Sequence, residues 1–269
     1  MAINLILLTL FSIATVLAVR YLLMKGFDNL CTYFSLSSKA RGQVIGYTTS
    51  IPEFTVVVSS AFAGVFEAGL WNIASSNIIN WVLFAIAVLF YKQQRDMLNK
   101  KFIEEIIFAS VAVLIPLSLS LFKVGLNIPV AIGLIILFVI YKIIDRKLNP
   151  KTERSSVPTE DRPNVFVGAV LLISGIFVVV VCGKYLGQYS ANLINQIGIP
   201  AWAIGWILGF ITSLPEMTSF FEIFRIHKMR GTLHLTDDMQ EALDTLVASN
   251  CSNLGIILPV GLIIFTIFR

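Results

Sequence analysis

The chain has 269 residues, of which 57% are hydrophobic and only 13% charged, with a formal net charge of +4 at pH 7. Soluble domains run near a quarter charged, so this composition excludes an ordinary water-soluble fold and describes a polytopic, all-α membrane protein. Three scattered cysteines, Cys31, Cys182 and Cys251, show no CxxC spacing and point to neither a disulfide framework nor a metal cluster.

A hydrocarbon core of roughly 30 Å takes about 20 apolar residues per helix. Eight such stretches are expected, near 4–24, 42–66, 70–91, 102–122, 125–144, 164–187, 198–224 and 242–268. The first begins at about Ile3 with no basic residue before it, so it reads as a retained span rather than a signal peptide. The loop after it carries Lys25, Lys39 and Arg41, whereas the next, around Glu67–Gly69, has no basic residue. The third loop has Lys92, Arg95, Lys100 and Lys101, and the fourth only Lys123. The fifth, 146–163, is the longest linker, with Arg146, Lys147, Lys151, Arg154 and Arg162 beside Pro150, Pro158 and Pro163. The sixth, Gln188 to Pro200, is uncharged, and the seventh has Arg225, Lys228 and Arg230. Basic loops face the cytoplasm, so the odd loops lie inside and both termini outside. The linker then separates a first half, 1–145, from a second half, 164–269.

The second span contains Gly46-Tyr47-Thr48-Thr49-Ser50-Ile51-Pro52-Glu53-Phe54-Thr55, and the seventh contains Gly209-Phe210-Ile211-Thr212-Ser213-Leu214-Pro215-Glu216-Met217-Thr218. A carboxylate in hydrocarbon costs about 2.5–3.5 kcal/mol on insertion scales and marks function by default. Proline has no N–H to donate, so Pro52 is expected to free the Thr48 carbonyl and Pro215 that of Ile211. Such breaks persist in a membrane only where protein, water or an ion answers them. Thr49 and Ser50 share a helical face with Glu53, as Thr212 and Ser213 do with Glu216. The two units enter the membrane from opposite sides, which makes them inverted repeats, the architecture of secondary transporters. A lone membrane proline is commonly just a kink, but packing has no need of the same buried Pro-Glu pair twice.

A polar helix follows each copy. Asn72, Ser76 and Asn80 recur every four residues in the first, and Thr245, Ser249 and Asn253 in the second, with Ser76-Asn77 matching Ser249-Asn250. Such stripes also serve as helix–helix glue worth about 0.6–2 kcal/mol. His227, His234, Asp237 and Asp238 suggest a catalytic or metal loop less well than a solvated face. Thr236 and the two acids after it read as the start of the last helix.

These two units resemble the α-repeats of the calcium/cation antiporter superfamily, whose core reads Gly-Thr-Ser-Leu-Pro-Glu with a later Gly-Ser-Asn segment. The Pro-Glu form is similar to the sodium/calcium exchangers rather than to the cation/proton exchangers. The likeness covers 42–91 and 198–268. It implies a cation site built from Glu53, Asn77, Glu216 and Asn250 with oxygens of Thr49, Ser50, Thr212 and Ser213, Ca²⁺ being held by the two glutamates. Gly46, Pro52, Gly209 and Pro215 would break the helices, and Ser76, Asn80, Ser249 and Asn253 would support the site. The first and sixth spans would be sliding gate helices.

Three departures stand out. Thr48 and Ile211 replace the glycine of the core motif, and Ile73 and Leu246 stand where relatives offer a serine ligand. The family norm is ten spans, so a second copy in a homodimer, a partner or a differently built core is expected to make good the difference.

Two carboxylates in low dielectric are expected to take up cations or protons, and one Ca²⁺, two Na⁺ or two H⁺ would each neutralise them. The expected activity is Ca²⁺/Na⁺ antiport by alternating access, without a cofactor, in a multi-pass protein of a prokaryotic cell membrane. Ca²⁺/H⁺ exchange, transport of Mg²⁺, Mn²⁺ or K⁺, and a cation channel are the rivals. Neither enzyme activity nor a nucleic-acid partner is expected.

Overall fold

The computed structural model describes residues 2–122, 125, 127–148 and 164–268, and among these every regular element is a helix. The first span is one rod: α1 (Ala2–Ala18), a π-helical turn (Val19–Leu23) and α2 (Met24–Tyr33). The second is broken into α3 (Ser38–Thr49) and α4 (Ile51–Phe62), and α5 (Phe66–Phe90) follows after a turn at Gly64, whose φ of +75° suits glycine. A short α6 (Gln94–Met97) and a 3₁₀ turn lead into α7 (Ile103–Leu121), and α8 (Ile128–Leu148) closes the first half. The second half comprises α9 (Val165–Ile197), the broken pair α10 (Ala201–Thr212) and α11 (Leu214–Met229), and a last rod. That rod is α12 (Asp237–Ser252), a π-helical turn (Asn253–Ile257) and α13 (Leu258–Phe268).

Among the described residues seven segments are long and apolar enough to cross a membrane: 6–33, 66–90, 100–121, 128–148, 165–189, 201–229 and 237–268. The α3–α4 pair is the eighth crossing, since its length from Ser38 to Phe62 is roughly 37 Å at 1.5 Å per residue. The order and number of spans thus match the sequence reading, but several ends do not. The first span runs to Tyr33, the fifth to Leu148, and the last starts at Asp237 rather than near 242. In each case polar residues continue the helix because tertiary partners satisfy them. Most of the linker, 149–163, lies outside the described residues.

The inverted repeat is visible in the packing. α3 crosses α12 and α10 crosses α5, each at close range. Glycines permit this: a Cβ on Gly42 would collide with the Glu241 carbonyl, and one on Gly46 with the Thr245 carbonyl and, at 2.8 Å, with Ala248. The equivalent Cβ on Gly205 would strike Trp71, and one on Gly209 would strike Ser75 and sit 2.9 Å from the Ser76 nitrogen. Small residues are how membrane helices approach closely. Phe84, Phe220 and Phe224 fill the core around these crossings, and Ile73 and Leu246 are buried there as hydrocarbon. Outside this body, α1–α2 lies along α9, and α9 packs on α4.

Candidate cation site

Each broken helix is interrupted at a serine. Ser50 (φ −81°, ψ 0°) separates α3 from α4, and Ser213 (φ −83°, ψ −5°) separates α10 from α11. Pro52 and Pro215 fall in the first turn of the resumed helices, where a missing N–H costs little. The carbonyls expected to be freed, of Thr48 and Ile211, are met by the N–H groups of Ser50 and Ser213. Gly46 and Gly209 lie inside α3 and α10, not at the interruption. There they set the helix crossings, and their carbonyls receive hydroxyls: Thr49 Oγ1 (3.2 Å) and Ser50 Oγ (3.0 Å) donate to Gly46, and Thr212 Oγ1 (3.5 Å) to Gly209.

Glu53 and Glu216 open α4 and α11, and both are fully buried. Ser76 Oγ donates to Glu53 Oε1 at 2.9 Å, and Ser249 Oγ donates to Glu216 Oε1 at 3.1 Å. The serines at the breaks complete two equivalent relays. Ser213 Oγ lies 3.2 Å from Ser76 Oγ, and Ser50 Oγ lies 3.0 Å from Ser249 Oγ. Thr212 also lies against Glu53, and Thr49 against Glu216, so each carboxylate has neighbours from both halves. The second oxygen of each, Oε2, is buried without a hydrogen-bond partner. A buried, unanswered carboxylate oxygen is expensive, and a cation or a proton resolves it.

The asparagines form a cross-strapped cluster. Asn77 Nδ2 donates to the carbonyls of Ala112 (2.8 Å) and Asn250 (3.3 Å), and Asn250 Nδ2 donates to the Asn77 carbonyl (3.2 Å). Carbonyls only accept, so these bonds orient both amides. Their Oδ1 atoms then accept from the residues one turn on: Asn253 Nδ2 to Asn77 (2.8 Å) and Asn80 Nδ2 to Asn250 (3.1 Å). Asn80 and Asn253 therefore hold in place the two amide oxygens that the sequence reading assigned to the cation. Replacing Asn253 by Ala is expected to weaken Ca²⁺ binding roughly fivefold, the worth of about 1 kcal/mol. The check is the Ca²⁺ concentration giving half-maximal thermal stabilisation; an unchanged midpoint would remove Asn253 from that role.

Several participants were invisible in the sequence. The Ala112 carbonyl of α7 enters only through tertiary packing. At the start of α3, Lys39 bonds Asp145 and lies 3.8 Å from both Glu105 and Asp244, although it had read as a loop charge. The solvated-face reading holds for His234 and Asp237, which are exposed, but is corrected for His227 and Asp238. Asp238 is buried, accepting from Gln93 Nε2 (2.5 Å) and the His234 N–H (3.0 Å), and His227 is buried against Glu241. Thr236 precedes the last helix as expected but has a left-handed backbone and makes no side-chain cap. Among the described residues no group of three or more His, Cys, Asp or Glu could hold a metal. A cation here would be held by two carboxylates and neutral oxygens.

The family model described as "Sodium/calcium exchanger protein" matches residues 4–144 and 167–269. The chain belongs to the sodium/calcium exchanger family. Solved structures of the sodium-calcium exchanger NCX_Mj share the exchanger fold. The form soaked with 10 mM Na⁺ and zero Ca²⁺ is 21% identical, with 98% of this chain and 84% of that chain covered and a TM-score of 0.56. The form soaked with 100 mM Na⁺ and 10 mM Sr²⁺ is 22% identical over 96% and 82%, also with a TM-score of 0.56. The form with zero Na⁺ and Ca²⁺ is 19% identical over 98% and 83%, with a TM-score of 0.55. No curated protein matches the chain. This exchanger is an integral multi-pass membrane protein that transports cations by exchange, and it is not an enzyme.

Proposed function

We propose that this exchanger moves Ca²⁺ against Na⁺ by alternating access around Glu53 and Glu216. The observation that carries this reading is the pair of buried, inversely related carboxylates, each with one oxygen on a serine and one oxygen unanswered. Calcium takes six to eight oxygens. The site offers those of Thr49, Ser50, Thr212 and Ser213, with the oriented amides of Asn77 and Asn250 alongside. One Ca²⁺ or two Na⁺ neutralises the same two charges, so occupancy is mutually exclusive and transport is coupled. The halves 1–145 and 164–269, joined by 146–163, act as the two inverted units. The α1–α2 rod and α9 slide as gates over α4, where Gly183 and Gly187 let α9 lie close against Thr55 and Ser59.

A second copy or a partner forms part of the proposal. Val82, Ile86 and Leu89 of α5 are exposed, whereas the equivalent Gly255, Pro259 and Leu262 are buried. Counting subunits in detergent tests this, and a monomer without partner would contradict it.

The decisive assay for the exchange is Ca²⁺ uptake into proteoliposomes under an outward Na⁺ gradient. Uptake driven by Na⁺ supports the reading. Uptake driven only by a pH gradient replaces it with Ca²⁺/H⁺ exchange, and uptake needing no counter-ion with a channel.

A further inference from the structure

A cavity of about 270 Å³ opens between α2 and the core helices α3, α11 and α12, on the side that loop charges place in the cytoplasm. Its lining includes Met24, Asp28, Cys31, Arg41, Ile45 and Thr218. Two of these are close in sequence to site residues: Ile45 precedes Gly46, and Thr218 lies two residues beyond Glu216. Ser219 Oγ donates to Met24 Sδ at 3.4 Å, so Met24 of the π-bulged rod seals the inner end against α11.

Arg20, Arg41 and Arg225 all line this cavity, and Arg41 is the guanidinium bonded to both α2 and the core. Arg41 of α3 donates through Nη2 to Asp28 Oδ1 at 2.8 Å and through Nη1 to Thr32 Oγ1 at 3.4 Å, both on α2. Its Nε donates to Glu241 Oε1 of α12 at 3.4 Å, and Glu241 Oε2 in turn meets His227 Nε2 of α11 at 3.3 Å. Among the described residues the Arg41–Asp28 bond is the sole ion pair joining α1–α2 or α9 to the rest of the protein. The Lys39 cluster, by contrast, ties together only α3, α7, α8 and α12.

We propose that this cavity is the cytoplasmic cation route and that the Arg41–Asp28 bond is its latch. The bond holds α2 against the core and keeps a permanent positive charge across the path, which repels an approaching cation. When the rod slides, Asp28 leaves, α2 moves off Met24's contact with Ser219, and the inner end opens. What the route carries rests on the exchanger reading above; the latch itself rests on the contacts alone.

Cys31 is a native probe of this motion, because it lines the cavity yet is only 3% exposed. The experiment measures reaction of the full-length protein in proteoliposomes with a charged thiol reagent, the modified cysteine being identified by peptide mass. Asp28→Asn is isosteric, and Asp28 is half exposed, so folding is retained. Loss of this charge-assisted bond is expected to speed Cys31 modification about tenfold, with Asp28→Glu restoring the slow rate and Arg41→Lys giving an intermediate one. Cys251, buried in the core, should keep its rate in every variant. An unchanged Cys31 rate in Asp28→Asn, or an equal rise at Cys251, overturns the latch. Failure of Na⁺-driven flux with the Cys31 result intact would overturn the exchanger reading and leave the latch standing.

Discussion

Glu53→Gln or Glu216→Gln is expected to lower exchange by at least about a hundredfold while leaving the protein folded. Each glutamate is fully buried and gives one oxygen to a serine, and glutamine keeps that acceptor with nearly the same shape. What it loses is the charge. Removing one partner of a buried charge pair costs about 3–5 kcal/mol, which corresponds to a hundredfold or more. The same change removes a buried, uncompensated charge from the cation-free protein. Its unfolding temperature in ion-free buffer should therefore rise, and added Ca²⁺ or Na⁺ should raise it no further. A variant that Ca²⁺ still stabilises would show that the cation is held elsewhere.

Gly209→Val is expected to be nearly as damaging, although it removes no polar atom. Any Cβ at this position overlaps the Ser75 side chain and sits 2.9 Å from the Ser76 nitrogen, so α10 must back away from α5. Overpacking of this kind costs about 1–3 kcal/mol in stability. The functional loss is larger, because Ser213, Ser76 and Glu53 form one relay across that crossing, and a displacement of an ångström is worth about a hundredfold in a positioned site. Gly133 supplies the control: nothing lies within 4 Å of its Cβ position on α8, so Gly133→Ala should leave flux unchanged and gain up to about 1 kcal/mol from helix propensity. Flux and melting temperature measured on both variants check the contrast. Equal effects would mean that the α10–α5 contact does not govern the site.

The spans and the inverted duplication were legible in the sequence because each rests on a local property: run length or a repeated string. The burial of Glu53 and Glu216 was legible for the same reason, since hydrocarbon surrounds both. The role of Gly46 and Gly209 was not. A glycine four residues before the break reads as part of it, whereas its effect depends on which helix crosses it. The interruption at Ser50 and Ser213 was displaced from the prolines because proline is tolerated in a helix's first turn, so the chain turns before it. Lys39, Glu105, Asp145 and Asp244 stand far apart in the sequence, at the flanks of four apolar runs. Only packing brings the three acids around the one Lys39 ammonium, and these ion pairs let the helices extend past their apolar limits. The Asn80 and Asn253 straps were visible as a stripe, but their direction is set by the backbone carbonyls of Ala112, Asn77 and Asn250.

Equilibrium binding of radioactive Ca²⁺ to the purified protein, titrated with Na⁺, bears most directly on the central claim that both cations compete for one two-glutamate site. Saturable Ca²⁺ binding that Na⁺ displaces fully and cooperatively in the wild type, and that is absent from both Glu53→Gln and Glu216→Gln, is the expected result. Simultaneous binding of Ca²⁺ and Na⁺, or Ca²⁺ binding that survives either substitution, would contradict it.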